Sequence, residues 1–368
     1  MKQQRMYLDL HILQTVPPSC INRDDTGSPK TAVYGGTPRA RVSSQAWKRA
    51  VRFQFQQTLA QESLGERTKR IIPMVAGEIE KLNPLADSMA LARQILDAAD
   101  IGLKAKDTKK GAEDKADLEG TGALFFLSHA QAKALAELAV ERPELLKAKK
   151  SEEVKAALRA APSIDMALFG RMVASDPSLN VDAACQVAHS ISTHAVRNEF
   201  DYFTAVDDLS PEDTAGAGHI GTVEFNSAVL YRYATVNVPD LARTLGQEDA
   251  VRATLAFTDA FIRSMPTGKQ STFANRTLPD VVYLALRRDQ PLNLVGAFEK
   301  PVMTREGGLL EPSVKALRDY ARHICGKYGM PPAAELDLGG ELTGTAAGSL
   351  NALLRELEQL LCAGGGAD

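Results

Sequence analysis

Residues 222–238 read TVEFNSAVLYRYATVNV, a long run rich in β-branched and aromatic residues. Such a run favours a pleated strand, so the segment is expected to form one long bent strand or two strand-like halves. Working outward, residues 6–14, MYLDLHILQ, alternate with Leu8, Leu10 and Ile12 on one face, which predicts a half-buried strand stopped by Pro17–Pro18. Residues 163–177, SIDMALFGRMVASDP, read as an apolar strand ending in a turn. After it a helix is expected over about 180–196, then a helix over about 240–264 and a strand at about 280–287. Strand, helix, strands, helix, strand is the order of an α+β ferredoxin-like domain.

Residues 63–163 read differently. Ala- and Leu-rich helical segments near 66–82, 88–98, 123–140 and 150–160, with no clear strand, predict a helical insertion into that domain. Within it, 104–122 mixes five Lys with five Asp or Glu between glycines, a composition that cannot bury a core and predicts a solvated loop. A second long loop, between the aromatics near 200 and the strand at 222, is acidic and rich in Pro and Gly. A loop of that length in a compact domain carries function or disorder.

Composition bounds the function. At 368 residues and 44% hydrophobic content the chain can bury a sizeable core. The N-terminus lacks the features of a signal peptide and no run of about 18 apolar residues occurs, so a cytoplasmic protein is expected. Cys20, Cys185, Cys325 and Cys362 form no CxxC pair, and buried free thiols are expected rather than a zinc site or disulfides. His189 and His194, five residues apart, do not share a helix face and read as structural. No cofactor is implied.

The positive charge is concentrated in one place. Residues 19–52, SCINRDDTGSPKTAVYGGTPRARVSSQAWKRAVR, hold seven Lys or Arg against Asp24 and Asp25, a balance of +5 in a chain that totals −3. That is the footprint of a polyanion held at one site rather than of a general nucleic-acid coat. The segment is expected to pass through Gly35–Gly36 and Pro38 as an extended loop before Ser43 or Ser44 caps a helix beginning near Gln45. At about 100° per residue, Trp47, Ala50, Val51 and Phe55 fall on one side of that helix, and Gln45, Lys48, Arg49 and Arg52 on the other. The only Trp in the chain is therefore expected in the core. With no RNP1-type strand motif, recognition through aromatics on an open sheet face is not expected.

The segments PSCINRDD, YGGTPRARVSSQAWKRAVR, FGRM, the 188–194 run AHSISTH, DYFTAVDDL and HIGTVEFNSAVLYRYA together resemble the CasC family, the guide-RNA-binding backbone subunit of the type I-E CRISPR Cascade complex. The resemblance implies an RRM/ferredoxin-like palm from residues 1–62 and 164–368, helical fingers from 63–163 and a protruding thumb loop over 198–222. It implies a non-catalytic ribonucleoprotein scaffold of antiviral defence. About six copies polymerise head to tail along one CRISPR RNA, beside other Cascade subunits, and present the guide for pairing with a target DNA strand. Guide phosphates are then held by Arg23, Lys30, Ser43, Gln45, Lys48, Arg49 and Arg52. Arg39 and Arg41 are not assigned to the guide, since alternate positions in an extended segment could place both on solvent. Met172, Phe203 and Ile220, each a core residue by type, press against the kinked guide and the splayed base. Tyr202 stands where the family commonly has Trp, and the thumb is slightly longer.

The competing class is a metal-dependent RNase cleaving guide-bound target RNA through Asp24, which lies with Asp25 in a loop beside the basic segment. The structural alternative for this pair is a loop that pairs with Arg23 or with a neighbouring subunit, and Asp207–Asp208 read as a turn or intersubunit contact. No Ser/His/Asp arrangement, P-loop or dinucleotide fingerprint is present. The sequence is read as a scaffold, not an enzyme.

Overall fold

The computed structural model describes residues 5–103, 121, 123–205, 219–344 and 346–364. In chain order it begins with β1 (Tyr7–Ser19), β2 (Thr31–Tyr34), β3 (Thr37–Val42) and α1 (Ser44–Thr58). There follow β4 (Gly65–Thr68), α2 (Ile71–Leu82), α3 (Ser88–Ala98), β5 (Phe125–Ser128), α4 (His129–Glu141), α5 (Glu152–Arg159) and α6 (Ile164–Phe169). The chain continues through β6 (Cys185–Val187), β7 (Ser190–Ser192), β8 (Glu199–Ala205), β9 (His219–Asn237), α7 (Val238–Leu245), α8 (Gln247–Arg263) and α9 (Gln270–Phe273). It ends with β10 (Val281–Arg287), α10 (Leu310–Tyr328), β11 (Ala334–Leu338) and α11 (Leu350–Gly364). Two units divide it, one of residues 1–54, 186–239 and 254–368, the other of 55–185 and 240–253.

The first unit is built on a sheet in the order β11-β10-β1-β9-β7-β3-β2. β9 is a single strand, and β1 pairs with it antiparallel from Tyr7↔Asn237 to Val16↔Ala228. Pro17–Pro18 does not stop β1. The prolines lack the N–H a ladder needs, and the register instead shifts between Val16 and Ser19 while the strand runs on. Nor is β1 half-buried, because both faces are covered: Asp9, His11 and Leu13 are as buried as Leu8, Leu10 and Ile12.

On the even-numbered face of β1 and β9, Trp47 of α1 and Phe261 of α8 enclose the buried Arg232, whose guanidinium carbon lies 3.8 Å from the Trp47 ring centre. Trp47 is fully buried and donates from Nε1 to Ser190 Oγ at 2.9 Å, so the core reading of this residue holds. On the odd-numbered face, Leu13, Val229, Tyr231, Val281 and Tyr283 pack against Leu294, Phe298 and Val314 and Leu317 of α10. The C-terminal elements thus close the face through which an open RNA-recognition sheet would stack bases.

The basic segment is not an extended loop but a hairpin. β2 and β3 pair from Thr31↔Ala40 to Tyr34↔Thr37, joined by Gly35 and Gly36 at φ +57° and +75°, the left-handed pair a two-residue turn demands. Arg39 is fully buried rather than on solvent. Its guanidinium donates to the carbonyls of Ser192 at 3.0 Å and Phe298 at 2.9 Å, which fastens the hairpin to the sheet and removes Arg39 from any surface role.

In the second unit α2, α3, α4 and α5 enclose an apolar core that includes Ile71, Val75, Ile95, Leu135, Val154 and Leu158. This region is not strand-free, since β4 and β5 pair antiparallel. Residues 164–169 form helix α6 where a strand was expected, and 180–196 hold the short β6 and β7 where a helix was expected. Residues 104–120 and 206–218, with Asp207 and Asp208, lie outside the described residues. Cys20 and Cys185 are buried as expected, whereas Cys325 is half-buried and Cys362 exposed. No helix among the described residues is long and apolar enough to cross a membrane.

Candidate nucleic-acid interface

The loop between β1 and β2 closes on itself. Arg23 and Pro29 form an antiparallel bridge, and Asp24 Oδ1 accepts from Thr26 N at 2.9 Å, Thr26 Oγ1 at 2.7 Å and Ser28 N at 3.0 Å. The Thr26 hydroxyl, followed by the backbone donors, holds the Asp24 carboxyl below its ordinary range. Asp24 is thus engaged within its own loop, by Thr26 and Ser28, rather than by Arg23 as the structural alternative has it. Among the described residues no three His, Cys, Asp or Glu come together to hold a metal ion.

Asn22 joins that loop to its neighbours. Its carbonyl accepts from Lys30 N at 2.9 Å, the Lys30 carbonyl accepts from Arg41 N at 2.9 Å, and its side-chain oxygen accepts from Ser43 N at 2.8 Å. Ser43 caps α1, its Oγ accepting from Ala46 N at 3.3 Å. Arg23, Lys30 and Ser43 are therefore brought to one corner, at the start of the helix whose face carries Gln45, Lys48, Arg49 and Arg52. Ser43 itself is buried, Lys30, Lys48 and Arg52 are half-buried, and Arg23, Gln45 and Arg49 are exposed. The Arg49 guanidinium lies 4.4 Å from the ring centre of Phe53, which steadies it.

Arg41, unlike Arg39, stays at the surface. It donates to the Thr31 carbonyl at 3.1 Å and meets His189 Nδ1 at 3.1 Å. Partial burial and the charges of Arg41 and Lys30 hold His189 below its ordinary pKa, so at neutral pH its ring accepts rather than adds charge. His194 is structural, Val229 N donating to its Nε2 at 3.1 Å. A pocket of about 20 Å³ lies under Lys30, Arg41, Asn22 and Asn226, room for a water but not a nucleobase.

β8 and β9 form a ribbon leading towards residues 206–218, with Phe203 opposite Gly221 and Thr204 opposite Ile220. The Phe203 ring covers Gly221 so closely that a Cβ there would lie 2.4 Å from its Cζ. Phe203 is 40% exposed, whereas Tyr202 and Phe200 are 62% and 68% exposed. Phe200 was not singled out in the sequence; its signal is the i, i+2 spacing that places it on the Tyr202 face of the ribbon. The side chain of Ile220 lies outside the described residues. In the second unit Met172 is 83% exposed between two buried residues. One of them, Arg171, donates to the carbonyls of Leu179 at 2.8 Å and Leu158 at 2.9 Å, so the thioether is held out by an anchored backbone.

A large antiparallel sheet crossed by α1 and α8, with an inserted unit of helices and the β4–β5 pair, defines an α+β protein. The chain belongs to the CT1975-like protein family, whose model it matches over residues 8–360. It is 33% identical to a chain of a solved structure described as a "CRISPR RNA-guided surveillance complex, pre-nicking", with a TM-score of 0.79 and coverage of 97% of this chain and 100% of that one. It is 28% identical to a chain of a second "CRISPR RNA-guided surveillance complex", with a TM-score of 0.69 and coverage of 97% and 99%. No curated protein sequence is significantly similar to it.

Proposed function

We propose that this chain is the guide-RNA-binding backbone subunit of a type I-E CRISPR Cascade complex, a CasC-type scaffold without catalytic activity. The observation that carries the reading is end-to-end similarity, at 33% identity, to a chain of an RNA-guided surveillance complex. The residues agree with it. Arg23, Lys30, Ser43, Gln45, Lys48, Arg49 and Arg52 follow one corner and one helix face, which suits a strand held by its phosphates without regard to sequence. The strand order β10-β1-β9-β7, with α1 and α8 as crossovers, is that of a βαββαβ palm. Fingers then correspond to the inserted helical unit, with Met172 as its guide contact, and the thumb to the β8–β9 ribbon, with Phe203 and Ile220 as guide contacts of its own.

In this reading copies pack head to tail along one CRISPR RNA, join the other Cascade subunits and expose the guide for pairing with target DNA. A translational array needs two different, complementary surfaces on each copy, and RNA length then sets copy number. The test is co-expression with a CRISPR array, sequencing of the RNA that copurifies, and native mass spectrometry with guides of two lengths. Array-derived RNA and a copy number that rises with guide length are expected. A closed dimer indifferent to RNA would refute the reading.

A further inference from the structure

The turn Thr267–Thr272, sequence TGKQST, takes no part in the interface described above, yet it is fitted against it. Gly268 lies on the end of β1, where a Cβ would fall 2.4 Å from the Ile21 carbonyl oxygen and 2.9 Å from that of Cys20. Only glycine permits two backbones to approach this closely. On the far side Phe273 packs against Phe225 of β9, ring centres 5.7 Å apart. Between these two anchors Lys269 adopts φ +50°, a left-handed conformation that a lysine rarely takes. A lysine that merely faces solvent needs no such fixing.

Lys269 shares its surroundings with Arg23. Both cations lie within electrostatic range of the Cys20 thiol, where they oppose the upward push of burial. The two acids in that neighbourhood, Glu224 and Asp24, are already engaged, Glu224 accepting from Ser28 Oγ at 2.9 Å and Asn198 Nδ2 at 3.1 Å and Asp24 from Thr26 and Ser28 within its own loop. Among the described residues Arg23, Lys30 and Lys269 have no carboxylate within ion-pair distance. Two unpaired cations on backbones locked together at one end of the sheet form a site for an anion. Beside them Ser271 and Thr272 are exposed hydroxyl donors.

We propose that Lys269, presented by the Thr267–Thr272 turn next to Arg23, is a further contact for a backbone phosphate of the guide RNA, extending the basic seam beyond the α1 face. The proposal rests on the guide-binding reading above. A compact ammonium suits a single phosphate, and Asn22 connects Arg23 through Lys30 to the helix start, so one strand can run past all of them.

The test is binding of a fluorescein-labelled single-stranded RNA of arbitrary sequence across a salt series. The variants are Lys269→Gly, Lys269→Arg and, for reference, Lys48→Ala. Lys269→Gly removes the charge while giving the turn a residue at ease with positive φ, so melting should stay at or above the wild-type value. Its affinity should fall several-fold and its log–log salt slope should shrink in magnitude by about 0.7, the value for one single-strand phosphate contact. Lys269→Arg should restore both. Wild-type affinity and slope for Lys269→Gly, with Lys48→Ala still weakened, would overturn the Lys269 contact and leave the guide-binding reading standing. No RNA affinity in the wild-type chain would overturn both.

Discussion

Asn22 and Ser43 are joined by one hydrogen bond: the Asn22 side-chain oxygen accepts the Ser43 backbone N–H at 2.8 Å. It links the Arg23 loop to the start of α1, two cationic elements that share no regular ladder. Asn22→Ala leaves the buried Ser43 N–H without its partner, at a cost of about 1–3 kcal/mol. Melting should fall by a few degrees. RNA affinity should fall at every salt concentration with the salt slope unchanged, since no cation is lost. Wild-type affinity in a folded Asn22→Ala chain would show that the loop and helix bind independently.

Gly221 sets the position of Phe203. With a Cβ only 2.4 Å from the Phe203 Cζ, Gly221→Ala must turn the ring away, although the change leaves a solvent-facing ribbon intact. Global stability should change by about 0.5 kcal/mol or less, as for an exposed site. If Phe203 bears on the guide, ribonucleoprotein assembly or target-strand affinity should fall as it does in Phe203→Ala. Full assembly in both variants would remove Phe203 from the interface and leave Phe200 and Tyr202 as the aromatic face to test.

What was legible in the sequence is what periodicity and composition encode locally. β9, β10 and the two-faced α1 were read because their patterns run for two or more turns or pleats. The six-residue helix α6 was misread because an apolar run as short as IDMAL carries no period that separates helix from strand. The converse error at 180–196 arose because β6 and β7 are each three residues long. The β2–β3 hairpin did leave a signal, the Gly35–Gly36 pair between two short runs, but its strands are polar and basic and look like loop. The burial of Arg39 was not legible at all, since the carbonyls that receive its guanidinium, at Ser192, Phe298 and Glu299, are remote in sequence. Among the interface residues, those on α1 follow from helix geometry. The contribution of Asn22 and Lys269 depends on tertiary contacts that no local pattern announces.

His11 makes the fold sensitive to acid. Its Nδ1 meets the Tyr231 hydroxyl at 2.9 Å, Tyr233 and Tyr283 flank the ring, and burial followed by the Arg287 charge pushes its pKa down to about 3. Between pH 6.5 and that value the unfolded chain binds a proton that the folded chain refuses. The stability due to neutral His11 is thus complete above pH 6.5 and is lost as pH falls, by up to about 1.4 kcal/mol per pH unit. Asp9, pushed up by burial, acts in the opposite sense, its folded form taking up a proton before the unfolded one as pH falls. Denaturant titration of wild type and His11→Phe at pH 7, 6 and 5 should therefore show converging stabilities, the variant losing less. Parallel pH profiles would contradict a neutral, buried His11.

Asp24 separates scaffold from nuclease. Its Oδ1 closes the loop through Thr26 and Ser28, a role that needs an acceptor oxygen but not a charge. Asp24→Asn keeps that oxygen, so loop, assembly and guide affinity should survive, whereas Asp24→Ala should impair assembly by freeing the loop. A catalytic carboxylate behaves differently, because a metal-bound site loses a hard anionic ligand when Asp becomes Asn and Mg²⁺ is held weakly without it. The measurement is an end-labelled complementary RNA incubated with the assembled ribonucleoprotein in Mg²⁺ or Mn²⁺ and run on a sequencing gel, with EDTA as control. The scaffold reading expects full-length RNA in every lane for wild type and Asp24→Asn alike. Metal-dependent cuts at a regular spacing in the wild-type lane, absent in Asp24→Asn although assembly is intact, would assign Asp24 to catalysis and make the chain an enzyme.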